Sequence, residues 1–360
     1  MAFMTEKEAA QKWAVSPQHV AALCATNRII GATRVGGCWT IPAHAEKPSD
    51  MVLPSRAGAV KPFLKWAGGK TQLLEVIRRH YPPGLGTRVT RYAEPFVGGG
   101  AVLFDILGRY RMEAVYISDI NWELILTYSA LRDHVDELIA VLRGLAEGYL
   151  PLSNEDRRDD YYAKRARFNA LKAAADDSVE LAALFIYLNK TCFNGLYRVN
   201  SRGYFNVPMG CYKQPAICDE ALLRTVSERL QGVQIVCGEY DEAGDFIDDK
   251  TFAYFDPPYR PLSATASFTS YAPTGFDEQQ QIELAHFIHA MSRKGAYVMA
   301  SNSDPKNTDE SDDFFDKLYH PLSIIRVPAG RAINSVGSGR GMISELLISN
   351  ERRDANEAVS

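Results

Sequence analysis

The chain has no CxxC pair, and no apolar run approaching the ~18 residues that cross a bilayer. Its six cysteines stand at positions 24, 38, 192, 211, 218 and 237. That scatter fits neither a zinc site nor a disulfide framework, and the thiols read as ordinary side chains of a reducing cytoplasm. The stretch MAFMTEKEAAQKW reads as polar and helical, not as a signal peptide. Positive charge is not in excess either, the formal net charge being -4, so a face that binds nucleic acid has to be local. Two phosphate-binding signatures fail by one glycine each. GxxxxGK[ST] would need glycine at Leu64, and GxGxxG would need it at Leu103, which disfavours nucleotide triphosphates and NAD.

With 46% hydrophobic and 23% charged residues, the 360-residue chain has the composition to build one large core and a smaller one. Residues 1–48 form a separate small unit. TEKEAAQKW predicts a first helix, Ser16 caps a second with Pro17 at its first position, and RIIGATRVGGCWTIP predicts two short strands around Gly36-Gly37. Helix, turn, helix and wing resemble the winged helix-turn-helix modules of excisionases, with Gln18 and His19 on the exposed face of the second helix. The alternative is a helical docking unit that touches no base. Residues 49–60 read as a linker and 351–360 as a polar tail.

From residue 61 strand and helix alternate. RYAEPF, AVYISD, QIVCGEY, FAYFDPPY and AYVMASNSD predict strands of an open, mostly parallel α/β sheet with helices on both faces, built from 61–125 and 233–350. Residues 126–232 break the rhythm. They are mostly helical, carry one Gly-marked polar hairpin, and read as an inserted domain.

Chemistry concentrates in three blocks. In AEPFVGGGAVLF a strand ends in a Gly-rich turn that opens a helix, so backbone can approach a ligand at a helix N-terminus. The next strand ends in Asp119, where an acid in this layout binds ribose hydroxyls. A nucleoside site without a pyrophosphate signature suggests S-adenosylmethionine. In YFDPPY an apolar strand must stop, because proline cannot donate to a ladder. The stiff turn carries one acid, constrained carbonyls and a ring. An exocyclic amine on a base is a poor nucleophile. Asp256 and the Pro257 carbonyl, accepting both its N–H groups, would favour a nucleophilic nitrogen and stabilise the charge that develops on it, while Tyr259 stacks on the ring. The third block, FLKWAGGKTQLL, is a loop entering a helix.

In that order LKWAGGK, EPFVGGG and YFDPPY resemble the Dam-type, alpha-class DNA adenine-N6 methyltransferases, from about Lys61 to Ile348, together with NGLYRVNSRGYFNVPMG, PLSATASFTSYAP, VMASNSD and RAINSVGSGRG. The resemblance implies a Rossmann-like, S-adenosylmethionine-dependent fold, an inserted target-recognition domain, and methyl transfer to N6 of an adenine flipped out of double-stranded DNA. It places Trp66, Lys70, Glu94, Phe96, Gly98 and Asp119 at the cofactor, Glu239 and Tyr240 at its adenine, and Asp256, Pro257, Pro258 and Tyr259 at catalysis, with Asp256 also beside the methionine amino group. It makes Phe193 a wedge into the duplex, Asn194 its neighbour, Leu196 and Arg198 base-edge contacts, Pro208 a contact to a thymine methyl, and Lys65 a reader of an outer guanine. Residues 189–213 hold four cations and no acid, interleaved with Phe193, Tyr197, Tyr204, Phe205 and Tyr212, a pattern suited to base stacking. A second acid-free basic stretch, Arg326 to Arg340, including Arg331 and Arg340, is suited to phosphates.

Taken singly, Trp66 reads as core, Asp119 as a cap for the helix NWELIL, and Pro257-Pro258 as a mere turn. All three in the family order do not. The sequence lacks the Pro-Cys pair of cytosine-C5 enzymes, and Asp256 stands where cytosine-N4 enzymes usually have serine. The rivals are a DNA-binding regulator with an idle methyltransferase fold, and methyl transfer to RNA or a protein amide. The family pattern points to a short palindrome, GATC-like or a longer site bounded by G and C; Thr191, Cys192 and Val199 depart from it. The expected setting is bacterial, cytoplasmic and nucleoid-associated, with no membrane and no metal, within restriction-modification or epigenetic regulation. A homodimer is compatible with the winged unit, and whether a restriction enzyme accompanies the chain is not legible.

Overall fold

The computed structural model describes residues 3–13, 60–260, 276–330 and 342–350, and positions 17, 20, 21, 24, 29, 32–35, 38–43 and 45. Near the N-terminus β1 (Phe3–Thr5), β3 (Cys38–Pro42) and β2 (Thr33–Val35) form an antiparallel sheet in the order β1-β3-β2. Strand β1, which the sequence did not announce, runs into α1 (Glu6–Trp13), whose Glu8 carboxylate accepts the Thr5 backbone N–H at 2.7 Å. Pro17, Val20, Ala21 and Cys24 are helical, a spacing of one face. Val20 and Cys24 join Met4, Ala9, Trp13 and Ile41 in a small core. Ser16, Gln18, His19, Gly36-Gly37, the 49–59 linker, Arg331, Arg340 and the tail lie outside the described residues.

The main sheet has seven strands in the order β6-β5-β4-β7-β8-β10-β9. These are β4 (Arg91–Pro95), β5 (Ala114–Asp119), β6 (Val233–Cys237), β7 (Thr251–Phe255), β8 (Tyr297–Ser303), β9 (Ser323–Gly330) and β10 (Met342–Ser349). The first five in that order are parallel, and β10 and β9 close one edge antiparallel. The architecture is mixed α/β with a mostly parallel central sheet. Strand β7, TFAYF, is buried throughout, as a central parallel strand covered on both faces must be. Its side chains alternate between two cores. Phe252 and Tyr254 pack with Tyr92, Phe104 and Met299, while Ala253 and Phe255 pack with Ala93, Ile288 and Ala300.

The helices on the main sheet start where the chemistry lies. Gly100, in the left-handed region (φ 69°), caps α3 (Ala101–Arg109), and a Cβ there would meet the Tyr128 hydroxyl at 2.6 Å. Asn121 caps α4 (Trp122–Asp133) by accepting the Leu124 N–H. Between β5 and β6 the chain runs through α4, α5 (Val135–Tyr149), α6 (Asn154–Ala173), α7 (Val179–Thr191) and α8 (Glu220–Leu230). The α7 stretch LAALFIYL is wholly buried, a helix apolar all round at the centre of its neighbours. After α7 the hairpin of 192–209 is marked by bridges Cys192–Met209 and Val199–Phe205. α2 (Leu74–Arg78), α9 (Glu278–Arg293) and α10 (Phe314–Leu318) complete the described helices of this part.

Candidate active site

The motif blocks arrive at the same ends of β4, β5 and β7. Asp256 follows the last residue of β7, and its carboxylate is bridged by Lys70 Nζ at 2.6 and 2.8 Å. Lys70 is buried; its ammonium also donates to the Gly68 carbonyl at 2.7 Å and lies 4.8 Å from the centre of the Tyr259 ring. Lys70 thus joins the DPPY turn in this structure. From β8, Ser301 Oγ donates to Asp256 Oδ1 at 2.8 Å, and Tyr254 OH lies 2.9 Å from that Ser301 oxygen. The turn after Asp256 is fixed by buried amides: Gln281 donates to the Pro258 carbonyl at 3.0 Å, and Asn302 donates to Gln281 at 3.0 Å. The Tyr259 hydroxyl donates to Glu345 of β10 at 2.5 Å. Burial, then the charges of Asp256 and Glu345, push the Tyr259 phenol well above its ordinary range, so it stays protonated.

Glu94, on β4, is buried and accepts the Tyr92 hydroxyl at 2.6 Å. Burial raises it to about 8; the Tyr92 bond and Lys70 pull it down, and the Asp256 charge pushes it up. Beyond it Phe96 takes a positive φ of 71° and stacks on Tyr240 with centroids 5.5 Å apart. Gly98 (φ 47°) gives its N–H to Asp119 Oδ2 at 3.1 Å, and Asn121 gives its N–H to Oδ1 at 2.9 Å. Burial lifts Asp119 to about 6 against those two donors. Trp66 lies behind the turn: a Cβ on Gly98 would sit 2.8 Å from its ring, which stacks on Tyr197 at 5.8 Å and lies 6.3 Å from the Phe185 ring. The structure therefore brings Trp66, Lys70, Glu94, Phe96, Gly98, Asp119, Tyr240 and Asp256 to one end of the parallel strands β4, β5 and β7. Glu239 is exposed and forms a capping box with Glu242.

This donor set suits a nucleoside. Asp119 offers a carboxylate at a strand end beside a tight turn and the N-terminus of α3, and the Phe96–Tyr240 pair offers aromatic surface.

The hairpin divides its aromatic residues. Phe193 and Tyr204 are exposed, while Tyr197 and Phe205 are core and Tyr212 lies under Lys65 Nζ at 4.2 Å. Two of the five interleaved rings are thus committed to packing, not to stacking on a base. Asn194 (φ 55°), Arg198 and Pro208 are exposed beside Phe193, with Leu196 half-buried; Arg198 donates to Asn206 at 2.8 Å. Lys65 is exposed, yet its backbone is clamped. Buried Asn189 accepts its N–H at 2.9 Å and donates to its carbonyl at 2.7 Å and to the Gly195 carbonyl at 3.0 Å.

One expectation is corrected. Arg326 lies in β9 and is ion-paired to Asp304 and Asp316, so it is not a loop cation free for phosphate. Ser301, Gln281, Asn302, Glu345 and Asn189 were not singled out. Ser301 and Asn302 fall in VMASNSD, and Glu345 is a polar residue interrupting the apolar strand ISELLIS; Gln281 closes the polar run DEQQQ and carries no such signal.

Residues 66–333 match the family of D12 class N6 adenine-specific DNA methyltransferases. The chain is 48% identical over 293 residues to the type II methyltransferase M.MjaIII of Methanocaldococcus jannaschii, covering 81% of this chain and 99% of that one. It is 37% identical to the type II methyltransferase M1.LlaDCHI of Lactococcus lactis subsp. cremoris, covering 81% of this chain and 95% of the relative. It is also 37% identical to the DNA adenine methylase of Escherichia coli K12, covering 79% and 93%.

Proposed function

The chain belongs to the D12 class of N6 adenine-specific DNA methyltransferases, and from that premise we propose how its residues divide the work. It is an enzyme that methylates adenine in DNA. The usual methyl donor of such enzymes is S-adenosylmethionine, which supplies an electrophilic methyl group on a sulfonium. Asp119 takes the ribose hydroxyls, the Gly98–Gly100 turn and Glu94 line the methionine part, and Phe96 and Tyr240 edge the adenine. Trp66 supports the turn from behind.

The observation that carries the reading is Asp256. This carboxylate stands at the end of a central strand, held by Lys70 and Ser301, on a turn whose Pro258 carbonyl is tied by Gln281. The flipped adenine presents its amine there. One N–H goes to Asp256, displacing Lys70 from one oxygen, and the other goes to the Pro257 carbonyl. Both contacts stabilise the charge that develops on nitrogen, and the amine is aligned for direct in-line attack. Tyr259, its hydroxyl tied to Glu345, covers the base face. No covalent enzyme intermediate is required.

Phe193 wedges into the gap, Asn194, Leu196, Arg198 and Lys65 read neighbouring bases of a short palindrome, and Pro208 meets a thymine methyl. The unit of residues 1–48 adds a winged helix-turn-helix contact. Purified protein supplied with methyl-labelled S-adenosylmethionine should label duplex DNA as N6-methyladenine, with far slower labelling of RNA or protein. Label recovered in RNA or protein instead would overturn the assignment of substrate. Deleting residues 1–55 should weaken DNA binding and lower its salt slope; an unchanged slope would remove the winged unit from the interface.

A further inference from the structure

We propose that Ser301, oriented by Tyr254, is a positioning residue that fixes the rotation of the Asp256 carboxylate for the incoming amine. The register places them together. Strand β7 pairs with β8 through Phe255–Ala300, so one step further along both strands Asp256 faces Ser301. Tyr254 and Asp256, two residues apart, project from the same face of the sheet.

The hydrogen-bond order is set by elimination. Tyr254 OH and Ser301 Oγ are 2.9 Å apart, either able to donate, and Ser301 Oγ is 2.8 Å from Asp256 Oδ1. If the serine proton went to Tyr254, the Ser301 oxygen would face a carboxylate oxygen lone pair to lone pair. The tyrosine proton therefore goes to Ser301, and the serine proton goes to Asp256. Burial, followed by the Asp256 charge, pushes the Tyr254 phenol well above its ordinary range, so it keeps the proton it donates.

The Asp256 carboxylate, on a single methylene, rotates in a broad, roughly two-fold well. Lys70 spans both oxygens and fixes neither face against the other. Ser301 holds Oδ1 from the sheet, a bond that an amine arriving at Oδ2 leaves in place. The serine is buried on a central strand, so it constrains the acid without meeting the base or the cofactor.

The inference rests on Asp256 as the amine-holding group, and the test separates the two. Full-length protein is saturated with S-adenosylmethionine and a duplex bearing its methylation motif, and the single-turnover rate is measured. Ser301→Ala should slow methyl transfer ~10–100-fold, with affinities for cofactor and DNA unchanged within about twofold. Ser301→Thr, which keeps the hydroxyl, should recover most of the rate. Tyr254→Phe should slow the wild type several-fold and add nothing in the Ser301→Ala background, the signature of two groups acting in series. A wild-type rate for Ser301→Ala beside an inactive Asp256→Ala would overturn the proposal, as would independent, multiplying effects of Tyr254→Phe and Ser301→Ala. Retained activity in Asp256→Ala would instead remove the premise.

Discussion

Asp256 and Phe193 sit in opposite conditions. Around Asp256 the polar groups are committed inward: Lys70, Ser301, Tyr254, Gln281 and Asn302 are buried or half-buried and bonded to one another or to the turn. Around Phe193 they face out. The ring is half exposed, Asn194 holds a left-handed turn, and Arg198 is exposed with one bond to Asn206. Transfer of a methyl group to a weak nucleophile gains from dipoles that need no reorganisation at the moment of reaction. Sequence reading needs side chains that can reach a groove and repack against it. The buttress between them is Asn189, which ties the Lys65 loop to Gly195 of the hairpin.

That contrast can be broken most severely at Asp256. Asp256→Ala should cut the methyl-transfer rate about a thousandfold or more while DNA is still bound, because the group acts only on developing charge. A loss confined to KM would place Asp256 in binding alone. Phe193→Ala should slow methylation of a matched duplex roughly tenfold and be rescued when the target adenine is mispaired, since a mispaired base costs less to extrude. Equal loss on both duplexes would deny the ring a wedge role. Arg198→Ala should cost about 1–3 kcal/mol of discrimination at one base position, measured as rate ratios on singly substituted sites, with the rate on the preferred site less affected. A uniform fall on all sites would make Arg198 a phosphate contact.

The smallest expected effect sharpens the buried side. Glu94 is held at about 8 against an ordinary 4.5, so the folded protein keeps a proton that the unfolded chain loses first. Its contribution to stability is complete below pH ~4.5 and falls as pH rises towards 8. Glu94→Gln should flatten this fall, seen as Tm measured from pH 5 to 8.5 without cofactor. A wild-type Tm that does not drop more steeply than that of the variant would contradict the buried, protonated Glu94.

The sequence exposed what is local. DPPY must end a strand and three glycines after EPFV must make a turn, because backbone sterics act within a few residues, and the acid of AVYISD is read at a strand end from the alternation of strand and helix. Those constraints placed Asp256, Gly98 and Asp119 at strand ends. It did not expose what depends on strand pairing. Ser301 and Glu345 become partners of the DPPY turn only through the order β7-β8-β10, and the local pattern of ISELLIS does not reveal that β10 lies inside the sheet, between β8 and β9. Burial on the hairpin was equally hidden. Tyr197 and Phe205 read as exposed stacking rings until α6 and α7 cover them, with Tyr197 also bonded to Glu123. Arg326 looked like a free cation because Asp304 and Asp316 lie 22 and 10 residues away in the chain.

The central claim, that this chain methylates adenine in DNA through Asp256, is tested most directly in a host that lacks adenine methylation. The wild-type protein and Asp256→Ala are expressed there, and the genomic DNA is read by single-molecule, modification-sensitive sequencing. The account predicts N6-methyladenine at one short palindromic motif on both strands, absent with the variant. An unmodified genome from folded wild-type protein, or the same methylated motif with Asp256→Ala, would contradict it.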